Sequence, residues 1–239
     1  MNTNRKIAII VGMLYIIGTV AGILSVVFTS SILGAPDYLT KIAVNENSIT
    51  VGALCILTMG LALALIPVLV YPIFKKRYQA LALGYVIFRG ALEAVMYIIF
   101  AISMLLLIPL SQGYVKAGSP ETSHFQTLGG LLKGVSDLPI LIFVFSLGAL
   151  IFYSLLYRSR LIPRWLSVWG LIAITLHFAT GFLTIFGFQT SFDTSNMIMN
   201  SQIFFQEMVM AVWLIAKGFN PSAIASLSNK IDAGKGDKK

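Results

Sequence analysis

Charge is scarce in this chain. Only 11% of its 239 residues are Asp, Glu, Lys or Arg, against about 25% in soluble domains. That deficit excludes an ordinary water-soluble globule. Cysteine is nearly absent too. A single Cys55 excludes an intramolecular disulfide, and its place in an apolar run suits packing. Two histidines, His124 and His177, give no His/Cys metal spacing. The chain has no Gly-rich phosphate loop, nucleophile elbow or paired-histidine motif. No cofactor and no metal are therefore expected.

Apolar residues fill the space that charge leaves. They make up 57% of the chain, and the mean hydropathy is +0.87. Several runs reach membrane-spanning length, about 18 residues or more. The runs are continuous, whereas an outer-membrane strand is about ten residues with polar alternation. The expected fold class is therefore all-α, a polytopic membrane protein with six transmembrane helices in one bundle. Spans are expected at 7–28, 49–74, 79–108, 137–157, 165–188 and 197–216, within one domain over 1–219. The stretch 220–239, rich in Ser, Gly and Lys, is expected to be a disordered basic cytoplasmic tail.

Local signals set the boundaries. The first apolar run, about 22 residues, exceeds the usual 7–15 of a signal peptide, and Pro36 spoils cleavage after Ala35. A retained signal anchor is expected. Gly18 and Gly22 form a small-xxx-small pair suited to close helix crossing. Pro67 and Pro72 are candidate kinks, and Pro109 is the expected stop of the third span. Asp137 with Pro139 resembles a helix start. The segment 128–136 is either a short surface helix or an extension of the fourth span, with a break near Pro139.

The net charge is +8, but its distribution argues against nucleic acid. Arg5, Lys6, Lys75, Lys76, Arg77, Arg158, Arg160, Arg164, Lys217 and the tail lysines fall on the side of the N-terminus. Lys41 and Lys116 fall opposite, with Lys133 near the border and Asp37, Glu46, Glu121 and Asp193 for company. This asymmetry orients both termini to the cytoplasm. The expected partners are the lipid bilayer and anionic lipid at the cytoplasmic face. Trp165, Trp169, Trp213, Tyr71, Tyr78, Tyr153 and Tyr157 are read as an aromatic belt at the inner interface.

Charge inside the apolar runs is the main functional signal. Arg89 and Glu93 lie mid-run, about 15 Å deep at 1.5 Å per residue, and four residues apart on one helix face. Glu207 repeats the anomaly in the last run, flanked by Gln206, and His177 lies at similar depth in the fifth. Asp137 and Lys133 sit nearer the outer face. An ionisable group at the centre of a span costs roughly 2.5–3.5 kcal/mol on insertion scales. Arg89 cannot shed its charge, so Glu207 is the expected second partner beside Glu93. Arg89, Glu93, Asp137, Glu207, Gln206, His177 and Lys133 are the candidate binding residues; none is assigned a catalytic role. The preferred expectation is a midplane pocket for a small polar solute or ion. The alternative is a structural or regulatory component whose charges only hold the bundle. A membrane enzyme is third, because Arg89 beside Glu93 would blunt it as a general acid.

The stretch Tyr157-Arg158-Ser159-Arg160-Leu161-Ile162-Pro163-Arg164-Trp165-Leu166-Ser167, followed by Trp169-Gly170, resembles a recurring segment of a bacterial membrane-protein family. The family is catalogued as domain of unknown function 4386. Glu207 with Ala211-Val212-Trp213-Leu214-Ile215 and Lys217-Gly218-Phe219-Asn220 is similar to its C-terminal signature. Arg5-Lys6, Gly12-x-x-Tyr15, and Arg89 with Glu93 also fit. The resemblance implies an integral protein of a bacterial plasma membrane. It implies no activity and no site residues.

Overall fold

A computed structural model describes residues 2–117, 122–188 and 194–228. The described residues form helices joined by turns and short loops, and none is in a strand. The order is α1 (Thr3–Leu33), α2 (Tyr38–Val44), α3 (Glu46–Tyr85), a π turn (Val86–Leu92), α4 (Glu93–Lys116), α5 (Thr122–Gly134), a 3-10 turn (Val135–Asp137), α6 (Ile140–Ser159), α7 (Arg164–Ile185), α8 (Thr194–Ala216) and α9 (Pro221–Ser228). Among the described residues, five helical stretches are long and apolar enough to cross a membrane: Thr3–Leu33, Glu46–Lys116, Ile140–Ser159, Arg164–Ile185 and Thr194–Ala216. The chain is a helical membrane protein. Large apolar side chains stay exposed along these stretches, Val27 at 64% and Leu61 at 63% among them. That pattern suits lipid and would be a liability in water.

The Glu46–Lys116 stretch has 71 residues. A straight helix of that length would be about 105 Å long, several times the roughly 30 Å of a bilayer core. The chain reverses instead at Tyr78, whose φ of −131° and ψ of 47° interrupt the helix. The dihedral break falls there and not at Pro67 or Pro72, both inside α3. Side chains then pair in antiparallel order. Gly90 approaches Ala64 and Pro67, Gly60 approaches Tyr97, and Gly52 approaches Met104. Gln112 Nε2 donates to Glu46 Oε1 at 2.6 Å.

Other boundaries differ from the sequence reading. Pro109 does not stop the helix, since α4 runs through it to Lys116. A proline removes one helix donor, here the one that would have served the Leu105 carbonyl, and membrane helices tolerate such a loss. Residues 128–136 fall in α5 and the 3-10 turn, separate from α6. Leu138 is extended (ψ 126°) and Pro139 is itself the N-cap of α6, without a side-chain cap bond. The Asp137 start signal therefore sits ahead of the cap. The tail is not wholly irregular: α9 occupies Pro221–Ser228. Ala223 and Leu227, one turn apart, are both buried, and Asn220 Oδ1 accepts the Ser222 N–H. The remainder of the expected tail lies outside the described residues.

The chain divides into two compact units. One comprises Met1–Ile16, Ala62–Glu93 and Pro139–Lys239; the other comprises Ile17–Leu61 and Ala94–Leu138. In the second, Ile32, Ile42, Ile49 and Leu107 form a buried apolar cluster. The first holds the charged residues described next.

Candidate functional site

Arg89 sits in the π turn between α3 and α4 and is its buried residue. A π turn widens the helix by an extra residue and is frequent at functional positions. Here the Glu93 N–H reaches back to the Phe88 carbonyl, five residues away. Gly148 on α6 allows the turn to lie close: a Cβ there would come within 3.1 Å of Arg89 N and 3.3 Å of Phe88 Cβ.

The guanidinium bridges two carboxylates. Arg89 Nη1 is 3.3 Å from Glu93 Oε2, and Nη2 donates to Glu207 Oε1 at 3.2 Å. Arg89 and Glu93 side chains are 1% exposed, whereas Glu207 is 15% exposed. Aromatic rings close the rest. Arg89 Cζ is 4.5 Å from the Phe145 ring centroid and 6.0 Å from that of Tyr15. Desolvated cation–π contacts of this kind reach about 2 kcal/mol. Arg89 Nε is buried and has no hydrogen-bond partner among the described residues.

Glycine also brings the last long helix in. A Cβ at Gly12 would meet the Ala211 carbonyl at 2.6 Å and Ile215 Cγ1 at 2.7 Å. α1 therefore touches α8 directly, with Tyr15 one turn further on. The Tyr153 hydroxyl donates to Gln206 Oε1, and Gln206 Nε2 donates to the Leu166 carbonyl at 3.1 Å. That chain of bonds ties α6, α7 and α8 together. Tyr153 is 0% exposed, so it belongs to this buried layer and not to an interfacial belt. Trp165 and Tyr157, at 54% and 38%, remain suited to one.

The family of the domain of unknown function 4386 (DUF4386) matches residues 10–218. The chain belongs to that family. No curated protein and no solved structure matches it. The DUF4386 region takes in Gly12, Tyr15, Arg89, Glu93, Gln206 and Glu207, and ends before α9.

A second polar group in the DUF4386 region lies between α7 and α8. Asn200 Nδ2 donates to Asn196 Oδ1, which leaves Asn200 Oδ1 as an acceptor. His177 Nδ1 lies 2.8 Å from that oxygen and Thr180 Oγ1 lies 3.1 Å from it. The Nδ1–H tautomer of His177 is the one that satisfies this contact. Asn196 Nδ2 continues the row to Thr184 Oγ1 at 3.4 Å. The His177 ring meets Phe145 edge-on at 5.0 Å, and Phe145 covers Arg89. One phenylalanine thus separates the row from the charge cluster.

The structure brings Arg89, Glu93 and Glu207 together, with Gln206 and His177 close by. Lys133 belongs to the other compact unit, where its Nζ lies 5.0 Å over the Tyr38 ring. The Asp137 side chain lies outside the described residues. Sequence reasoning missed Asn196, Asn200, Phe145 and Tyr153. The two asparagines did leave a signal, being four apart in an apolar run and so on one face. The aromatics left none, because Phe and Tyr are common in any membrane helix. Among the described residues, no three His, Cys, Asp or Glu side chains gather as metal ligands.

Proposed function

We propose that this DUF4386 protein crosses a bacterial plasma membrane six times, with both termini cytoplasmic, and handles a small ion or polar solute at the Arg89 cluster. The reversal at Tyr78 supports six crossings, since it divides the long stretch into two.

One observation carries the functional reading. Two carboxylates share one guanidinium in a site largely closed to solvent. With all three ionised the triad has a net charge of minus one. An uncompensated charge in a low-dielectric interior is strongly disfavoured. A proton or a small cation meets that excess and is the exchangeable species. Glu207, the partly exposed member, is the point of entry, and Arg89 Nε offers a buried donor to a polar solute. The row from Thr184 to His177 supplies further hydrogen-bonding groups on α7 and on α8, the helix that carries Glu207.

A second reading rests on the 1% exposure of Arg89 and Glu93. On that reading the triad is a static tether between helices. Infrared difference spectra separate the two. Acid-minus-alkaline spectra of the purified protein should contain a protonated-carboxyl band, and Glu207→Gln should remove or shift it. A cation series should also move the wild-type Tm. A protein with neither the band nor the cation effect would be a tether, and the solute reading would fall.

A further inference from the structure

The α6–α7 connection lies against the α8–α9 connection. The Asn220 N–H donates to the Leu161 carbonyl at 2.9 Å. Between them is a cavity of about 510 Å³, within the roughly 300–1,000 Å³ of small-molecule sites. Arg160, Arg164 and Lys217 line it, and no carboxylate does. None of these three forms a salt bridge among the described residues.

Local structure does not consume Arg160 or Lys217, while the Arg164 guanidinium lies 5.3 Å from the Tyr157 ring centroid. Lys217 follows the end of α8, where a basic side chain normally serves the last carbonyls. Those carbonyls are already taken. Arg5 Nη1 donates to Leu214 O at 3.1 Å, and Nη2 donates to Ile215 O at 2.6 Å and Ala216 O at 3.1 Å. Arg160 caps α6 in the left-handed region, φ 57°, with its side chain exposed.

An apolar groove of about 400 Å³ adjoins the cavity along α8. Met208, Val209, Val212 and Ala216 line it, and Trp213 and Lys217 are shared by both. A basic chamber that opens into an apolar groove on a membrane-facing helix has the shape of a headgroup and its acyl chain. We propose that this composite site binds an anionic phospholipid, its phosphate held by Arg160, Arg164 and Lys217 and a chain laid along Val209 and Val212. Basic pockets beside membrane helices are suited to such headgroups. The site is separate from the Arg89 triad and does not depend on the solute reading.

Tryptophan reports on it directly. Trp165→Phe with Trp169→Phe leaves Trp213 as the sole tryptophan. This variant is placed in mixed vesicles where brominated chains are carried either by phosphatidylglycerol or by phosphatidylcholine. Brominated phosphatidylglycerol should quench Trp213 in clear excess. Arg160→Asn, which suits a positive φ, and Lys217→Gln should each lower the lipid preference about fivefold. Arg160→Lys with Lys217→Arg should keep it, which controls for misfolding. Equal quenching by the two lipids in the starting variant overturns the proposal. So does loss of that excess when inorganic phosphate is added to the mixed vesicles at constant ionic strength, since the ligand would then be a soluble phosphate.

Discussion

Arg89 is the residue on which the buried polar layer converges. It is permanently charged, so its surroundings must supply the compensation. Glu93, Glu207, Phe145 and Tyr15 do so from four parts of the chain. Removing one member of a buried pair leaves the other charge stranded, at about 3–5 kcal/mol. Arg89→Ala should therefore lose about that much stability, measured by unfolding in mixed detergent micelles. Adding Glu207→Gln should restore about 1–3 kcal/mol, since the two side chains interact directly. A double mutant as unstable as the two single losses added would show that they are independent. This part of the site was legible in the sequence, because a charge in an apolar run is conspicuous. Phe145 and Tyr153 were not, because burial and contact leave no mark on an aromatic side chain's identity.

Among the elements, close helix contacts are set by glycines that differ sharply in their surroundings. A Cβ at Gly12 would collide with the Ala211 backbone oxygen, whereas one at Gly130 would meet nothing within 4 Å. Gly12→Ala should destabilise the protein by about 1–3 kcal/mol through overpacking. Gly130→Ala, inside α5, should be neutral or stabilise by up to about 1 kcal/mol through helix propensity. Thermal unfolding of the two variants checks the order, and a reversed order would mean that α1 and α8 are not in contact at Gly12. Sequence reasoning found the long apolar helices, whose length and composition are strong signals. It did not find the π turn, because one extra residue in a helical turn alters geometry without altering composition. It also placed a stop at Pro109, where the local preference of proline was overridden by its helical context. The short helix α9 was missed because Ala223, Ile224 and Leu227 are too few to show a period.

For the whole molecule, the distribution of lysine and arginine predicts the proposed orientation, with both termini cytoplasmic. Single cysteines introduced after Cys55→Ala test it. Asp37→Cys and Lys116→Cys should react with an impermeant maleimide in intact cells, whereas Lys76→Cys and Arg158→Cys should react only after lysis. The opposite pattern would invert the orientation. The link from Arg89 to Glu207 has a consequence for how the chain is made. A ribosome delivers Arg89 to the translocon well before Glu207 has been synthesised, since 118 positions separate them. Glu93 travels with Arg89, so the nascent segment brings its own counterion and can partition into lipid as a near-neutral pair. The second carboxylate arrives only with the final long helix. The triad is thus completed only once α8 has been made, and a product terminated before α8 carries an arginine with one carboxylate in place of two.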